Sequence, residues 1–253
     1  MCGRFAVTTD PALLAARIDA IDETGEAGLR GPNFNVAPTT DIAAAVARHD
    51  EPDDEATRRL RLMRWGLVPS WAKAGPDGVP QIKSQLINAR AETVTTSPAF
   101  RGAAERKRCL IPMDGYYEWQ SARESPGGNP ARGRKAPFYF SRADGSPLLV
   151  AGLWSAWRPG KDAEPLLTCT VITTDAVGDL ASVHDRMPLI LGARDWDRWL
   201  DPDAPAPADL LATPPDIAGI AMRQVSTLVN SIANNGPELI APAEGDDQPV
   251  GLF

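Results

Sequence analysis

The chain has 253 residues, 43% of them hydrophobic, so it is too long for a disulfide miniprotein and too apolar to be disordered throughout. Its 26 Lys and Arg against 33 Asp and Glu give a net charge of −7, which by itself argues against a surface for phosphates. No apolar run approaches the ~20 residues of a membrane span, and the start Met1-Cys2-Gly3-Arg4-Phe5 has no basic stretch followed by an apolar one, so a soluble, cytoplasmic protein is expected.

In chain order, Asp10-Pro11 followed by Leu13, Leu14, Ile18 and Ile21 predicts an N-capped helix with an apolar face. Leu60 and Leu62 alternate with Arg59 and Arg61 and predict a strand. Ser97-Pro98 predicts a second helix through Phe100 towards Arg106, with basic side chains in its last turn. Residues 109–111, 116–119, 138–140, 148–153 and 167–173 are short, β-prone and bounded by Gly, Pro or Asp, hence strands. A third helix is predicted over 194–200, with Trp196 and Trp199 read as core. Stretches 49–57, 121–135 and 202–215 read as long loops inside one domain. The sum is an α+β fold: a mainly antiparallel, curled or barrel-like sheet with a few flanking helices. A single domain is expected over 1–242, followed by an acidic tail over 243–253.

The distribution of charge says more than its total. From Arg58 to Arg108 there are eleven basic residues against three acids, a local +8 that leaves −15 for the remainder. Trp65, Trp71 and Phe100 interleave the cations, and stacking rings among cations suit single-stranded nucleic acid. A solvated basic face is the plainer reading of such a run. Cys2, Cys109 and Cys169 have no CxxC spacing and His49 and His184 lie far apart, so no metal and no cofactor is expected.

Cys2 carries the most chemical information. A residue this small at position two favours removal of the initiator Met, which leaves an α-amine and a thiol on adjacent carbons. Such a pair reacts with an aldehyde to an imine and then, by thiol addition, to a five-membered thiazolidine. Glu118, beside Tyr116, Tyr117 and Trp119, is placed to be partly desolvated and to carry a proton near neutrality. His184 exchanges protons readily, Asn88 can hydrogen-bond the terminus or a sugar, and Arg4 and Arg90 offer forked donors to phosphate. Trp65 or Trp71 is available to stack on a base.

Several clusters fall at turns, where sites are built: Met1-Cys2-Gly3-Arg4, Asn33 to Pro38, Arg64 to Trp71, Asn88-Ala89-Arg90-Ala91-Glu92-Thr93, Arg108 to Pro112, Asp114 to Trp119 and His184-Asp185-Arg186-Met187-Pro188. Together, and in this order over nearly the whole chain, they resemble the SOS-response-associated-peptidase family, whose members shield abasic sites in single-stranded DNA by covalent capture. The resemblance implies Cys2 as crosslinking nucleophile, Glu118 for acid/base work, His184 for proton transfer and Asn88 at the sugar. It also implies a DNA-contacting set of Arg4, Arg64, Arg90, Thr173 and Arg186, stacking by Trp65 and Trp71, and walls shaped by Pro38 and Met187. Ala91 stands where the family often has Ser. The expected partner is single-stranded DNA with abasic sites, met by a monomer that becomes nucleoid-associated when bound. Self-removal of Met1 would be the peptidase activity, with a lyase activity possible on the same site.

Two other classes fit parts of the sequence. An N-terminal-nucleophile glutamine amidotransferase or hydrolase also begins Met-Cys-Gly, but leaves the +8 segment unexplained. A non-covalent reader of single-stranded DNA would use the basic groove and keep Cys2 structural.

Overall fold

The structure, a computed structural model, describes residues 2–25, 31–120 and 135–243, and the backbone of 250–252. The loop expected over 121–135 lies almost wholly outside the described residues. Fourteen strands occur among those described: β1 (Phe5–Val7), β2 (Ile21–Asp22), β3 (Asn33–Val36), β4 (Asp41–Arg48), β5 (Thr57–Trp65), β6 (Asn88–Arg90), β7 (Arg108–Met113), β8 (Gly115–Gln120), β9 (Ala136–Arg142), β10 (Leu148–Trp157), β11 (Leu166–Asp175), β12 (Arg186–Pro188), β13 (Ile220–Gln224) and β14 (Val250–Leu252). The helices are short: α1 (Pro11–Arg17), α2 (Arg101–Arg106), α3 (Trp196–Leu200) and α4 (Ala208–Ala212).

One sheet runs β14-β13-β9-β8-β1-β3 and the other β12-β11-β10-β7-β4-β5-β2, with β6 added in parallel to β11. The second sheet curls until β5 meets β11 again, in parallel, over Arg64↔Thr168 and Cys169↔Trp65. That contact spans two residue pairs and stops short of a continuous barrel ladder. The α+β class and the curled, mainly antiparallel sheet expected from the sequence are therefore observed.

Two apolar layers explain why these residues form these strands. Cys2, Phe5, Met63, Trp65, Ile111, Tyr116, Phe140, Val150 and Val171 fill the space between the sheets. Leu14, Ile18, Leu60, Leu110, Ala151, Ile172, Trp199 and Leu210 pack the outer face of the curled sheet under the helices. Strand β4 serves both: Ile42, Ala44 and Val46 face the inner layer, Ala43 and Ala45 the outer one. Its alanine run would suit a helix, yet burial on both faces fixes it as a strand, with small side chains that let helices approach.

Helix α1 is capped as expected, by the Asp10 carboxylate accepting from the Ala12 N–H at 2.9 Å. The second helix is shorter than expected, because residues 93–100 form turns, and the third begins as a 3-10 turn over Ala193–Asp195. Helix α4 interrupts the loop expected over 202–215, and β14 pairs with β13, so the end of the acidic tail adds a strand.

Arg108 opens β7 from inside the protein, only 2% exposed. Its guanidinium donates to the carbonyls of Trp199 (2.7 Å), Ala104 (3.1 Å), Glu105 (2.7 Å), Ala204 (2.7 Å) and Asp201. It thereby caps carbonyls at the ends of α2 and α3 that have no helical partner. Arg108→Met would leave those carbonyls orphaned, and we expect a loss of about 3–5 kcal/mol in urea unfolding.

Candidate active site

Strand β1 sets the position of Cys2. It is a central strand, paired to β3 through Phe5↔Val36 and to β8 through Phe5↔Tyr116. Just beyond it, the Asp114 carboxylate accepts from the Thr8 N–H (2.6 Å), the Thr8 hydroxyl (2.6 Å) and the Thr9 hydroxyl (3.0 Å). Gly115 permits the close turn there, since a Cβ would lie 2.4 Å from the Phe140 carbonyl oxygen. The start of the chain is thus held between two sheets, with Cys2 0% exposed.

Asn88, on β6, donates from Nδ2 to the Cys2 carbonyl at 2.8 Å. The parallel pairing of β6 with β11, Val171↔Asn88, carries it there. Its other polar atom, Oδ1, is buried with no hydrogen-bond partner among the described residues. Glu118 lies on β8, two residues after Tyr116 and so on the same side of the strand. It is 3% exposed. Burial raises its carboxyl, while positive charge at the amino terminus of the chain and on His184 opposes the rise. Burial also pushes up the Cys2 thiol, and the Glu118 charge adds to the effect, against which the amino terminus and the Arg4 backbone N–H act. The Tyr116 phenol is raised by burial and by those same two neighbours, Cys2 and Glu118. Thiol, carboxyl, phenol and imidazole therefore share one electrostatic neighbourhood. Tyr116 is the member that the sequence reading treated only as a desolvating ring; its alternation with Glu118 was the available signal.

His184 follows a 3-10 turn over Gly178–Ser182, and its side chain is 28% exposed. It lies between two clefts. One, of about 640 Å³, is lined by Arg90, Glu92, Thr93, Asp175 and Arg186; the other, of about 300 Å³, by Trp119, Gln120, Lys135 and Ser182. Nδ1 has two neighbours, the Arg186 backbone N–H at 3.0 Å and an Asp185 carboxylate oxygen at 2.8 Å. They cannot both be satisfied at once, because the first needs a lone pair and the second a proton.

The remaining expected residues separate into two groups. Arg90 and Trp71 are exposed, Trp71 by 66%, and Pro38 and Arg64 are half-buried. Arg4 is half-buried and directs its guanidinium inward, to Asn35 Oδ1 (2.6 Å) and the Val229 carbonyl (2.9 Å). Trp65, Thr173 and Met187 are buried at 0%, 0% and 1% exposure. The Trp65 ring packs on Phe5 at 5.0 Å and its N–H donates to the Ile87 carbonyl. A ring with no exposed face cannot stack on a base, so the stacking role expected of Trp65 falls to Trp71. Thr173 and Met187 likewise shape the site from beneath its surface.

Arg186 is enclosed rather than offered to solvent. It donates to Glu92 from both terminal nitrogens (2.9 and 3.0 Å), to Asp175 (2.6 Å) and to the Thr173 carbonyl (2.7 Å).

The local +8 segment also changes meaning. Arg58 pairs with Asp197, Arg59 with Glu23 and Asp50, and Arg61 with Glu23, while Arg108 is internal. The cations near the exposed Trp71 are Arg101 and Lys107, which line a cleft with it and with Pro98. Among the described residues no group of three His, Cys, Asp or Glu side chains could hold a metal ion.

Fold and site together define a curled-sheet α+β protein that holds a cysteine near its amino terminus beside a carboxyl and an imidazole. A family model described as SOS response associated peptidase (SRAP) matches residues 1–232, and the chain belongs to this family. It is 37% identical over 242 residues to "Abasic site processing protein YoaM" of Bacillus subtilis (strain 168), covering 95% of this chain and 97% of that protein. It is 32% identical over 274 residues to "Abasic site processing protein HMCES" of Gallus gallus, covering 96% and 78%. A crystal structure of a protein from Bacteroides thetaiotaomicron has the same fold, with a TM-score of 0.76 and 24% identity over 96% of this chain and 100% of that one.

Proposed function

We propose that this protein processes abasic sites in DNA by covalent capture: after removal of Met1 by its own site, Cys2 forms a thiazolidine with the aldehyde of an abasic site in single-stranded DNA. One observation carries the reading. The Cys2 carbonyl is anchored by Asn88, while the Cys2 thiol shares a buried neighbourhood with Glu118 and Tyr116.

The steps follow from the groups present. An abasic deoxyribose, once its ring opens, has an aldehyde at C1′. His184 serves ring opening by protonating the ring oxygen. The neutral α-amine of Cys2 adds to C1′ to give a carbinolamine. The Glu118 carboxyl, kept protonated by burial, gives its proton to the hydroxyl; water leaves and an iminium remains. The thiol passes its proton to the Glu118 carboxylate and sulfur bonds to the same carbon, closing a neutral thiazolidine. Amine, aldehyde and thiol have become thiazolidine and water, with Glu118 restored. Asn88 Oδ1, buried and unpartnered, is suited to accept from the new amine. Breakdown of the ring by the reverse steps accounts for slow release, and a lyase step would pass through the same iminium. None of these steps needs a metal or cofactor.

Arg90 and Arg64 supply donors for phosphates, Pro38 a wall, and Trp71 an exposed ring for a flanking base. We expect Trp71→Ala to weaken binding of intact single-stranded DNA by about 1–3 kcal/mol in fluorescence anisotropy, with little effect on thermal unfolding. The proposed setting is a cytoplasmic monomer that joins the nucleoid on binding DNA; no helix among the described residues is long and apolar enough to cross a membrane.

Intact-mass spectrometry of the purified protein followed by a denaturing gel with abasic single-stranded DNA tests the proposal. Loss of one methionine and a shifted band are expected. A protein with Met1 removed that gives no shifted band would refute capture.

A further inference from the structure

The Arg186 guanidinium is spent on its own protein. Only 10% of its side chain is exposed, and two carboxylates, Glu92 and Asp175, more than balance its charge. Hydrogen bonding to Arg186 in turn holds the Glu92 carboxyl below the usual carboxylate range. A cation neutralised in this way has little left to attract a phosphate.

The backbone of the same residue does something else. Its N–H points at Nδ1 of His184, two residues earlier, at 3.0 Å. Residues 186–188 form β12, which pairs with β11 through Asp175↔Arg186 and Thr173↔Pro188. The side chain closes over that pairing, holding Asp175 and the Thr173 carbonyl on β11 and reaching Glu92 in the turn after β6. Three segments are thus tied at the residue whose N–H meets the imidazole. Asp185 competes for Nδ1 from the exposed side, with its side chain 85% exposed.

We propose that the Glu92–Arg186–Asp175 clamp is a positioning device for His184. It fixes the Arg186 N–H so that Nδ1 is an acceptor and the neutral ring carries its proton on Nε2. Arg186 and Glu92 are then positioning residues, and neither is a ligand for DNA phosphate. Asp185 gains Nδ1 only when the ring takes a second proton, so the clamp and Asp185 favour opposite protonation states of His184. Glu118, whose carboxyl feels the charge of His184, is the group across the site that such a change reaches.

The importance of this arrangement for abasic-site chemistry rests on the function proposed above, but the arrangement itself can be measured without DNA. Long-range ¹H–¹⁵N NMR of histidine-labelled protein lacking DNA is expected to show the Nε2–H tautomer for His184. In Glu92→Gln a mixture of tautomers is expected, and Glu92→Asp should restore part of the wild-type signal. Affinity for intact single-stranded DNA should change less than about 2-fold in Glu92→Gln, and the salt slope of Arg186→Gln should match the wild type. Reversal of the crosslink should slow in Glu92→Gln. A tautomer signal unchanged in Glu92→Gln, or a salt slope reduced by about one unit in Arg186→Gln, would overturn the proposal. Absence of any crosslink in the wild type would instead strike the function and leave the tautomer result standing.

Discussion

Cys2→Ser is expected to keep DNA binding and lose the stable crosslink. The serine variant retains an α-amine after loss of Met1, so it still forms an imine with the aldehyde. Its hydroxyl is a far weaker nucleophile than a thiol, and the imine stays open to water. On a denaturing gel the shifted band should fall on the order of 100-fold or more. Borohydride, which reduces the imine to a secondary amine, should bring it back. A band of full intensity without borohydride would mean that sulfur does not close the bond. No band even with borohydride would mean that the amine is not the attacking group. The two arms test separately the two nucleophiles that the proposed chemistry requires of one residue.

Glu118→Gln should slow crosslink formation at neutral pH by about 10²–10⁴-fold, because it removes the acid that lets water leave and the base that accepts the thiol proton. In the wild type, the part of the rate that needs protonated Glu118 should fall as pH rises through its raised value, and the variant should lose that dependence. The effect on stability has the opposite sign. Burial makes the folded state hold a proton that the unfolded chain has already released, so across that window stability falls as pH rises. Removing the ionisable group should raise the melting temperature at pH 8 relative to the wild type, and less so at pH 4. Calorimetry at the two pH values reads this directly. A lower melting temperature at pH 8 would show that the charged carboxylate is better supported than its burial implies.

Local patterns gave much of the fold. The cap at Asp10, the alternation at Arg59 to Leu62 and the apolar runs over 148–153 and 167–173 all correspond to elements of the structure. Strand β4 escaped because alanine favours helices when neighbours are unknown, and only double burial decides otherwise. Counting charges along the chain had a similar blind spot. Arg58, Arg59 and Arg61 find acids at positions 197, 23 and 50, and Arg108 turns inward, which no linear sum can register. Trp65 and Trp71 flank one motif, yet β5 buries the first and the following turn exposes the second. Cys2, Asn88, Glu118 and His184 were legible as chemistry. Their meeting was not, since it depends on β6 adding to β11 and β1 pairing with β8.

The placement of the amino terminus on a central strand has a consequence for timing during synthesis. Cys2 leaves the ribosome first, yet β1 needs β8 beside it, Glu118 comes with that strand, His184 follows some seventy residues later, and Arg4 binds the carbonyl of Val229. At about 5–20 residues per second, tens of seconds separate the birth of the nucleophile from the arrival of its last partners. A growing chain would thus carry its warhead unarmed, and chemical competence would arrive only with nearly the whole polypeptide in hand.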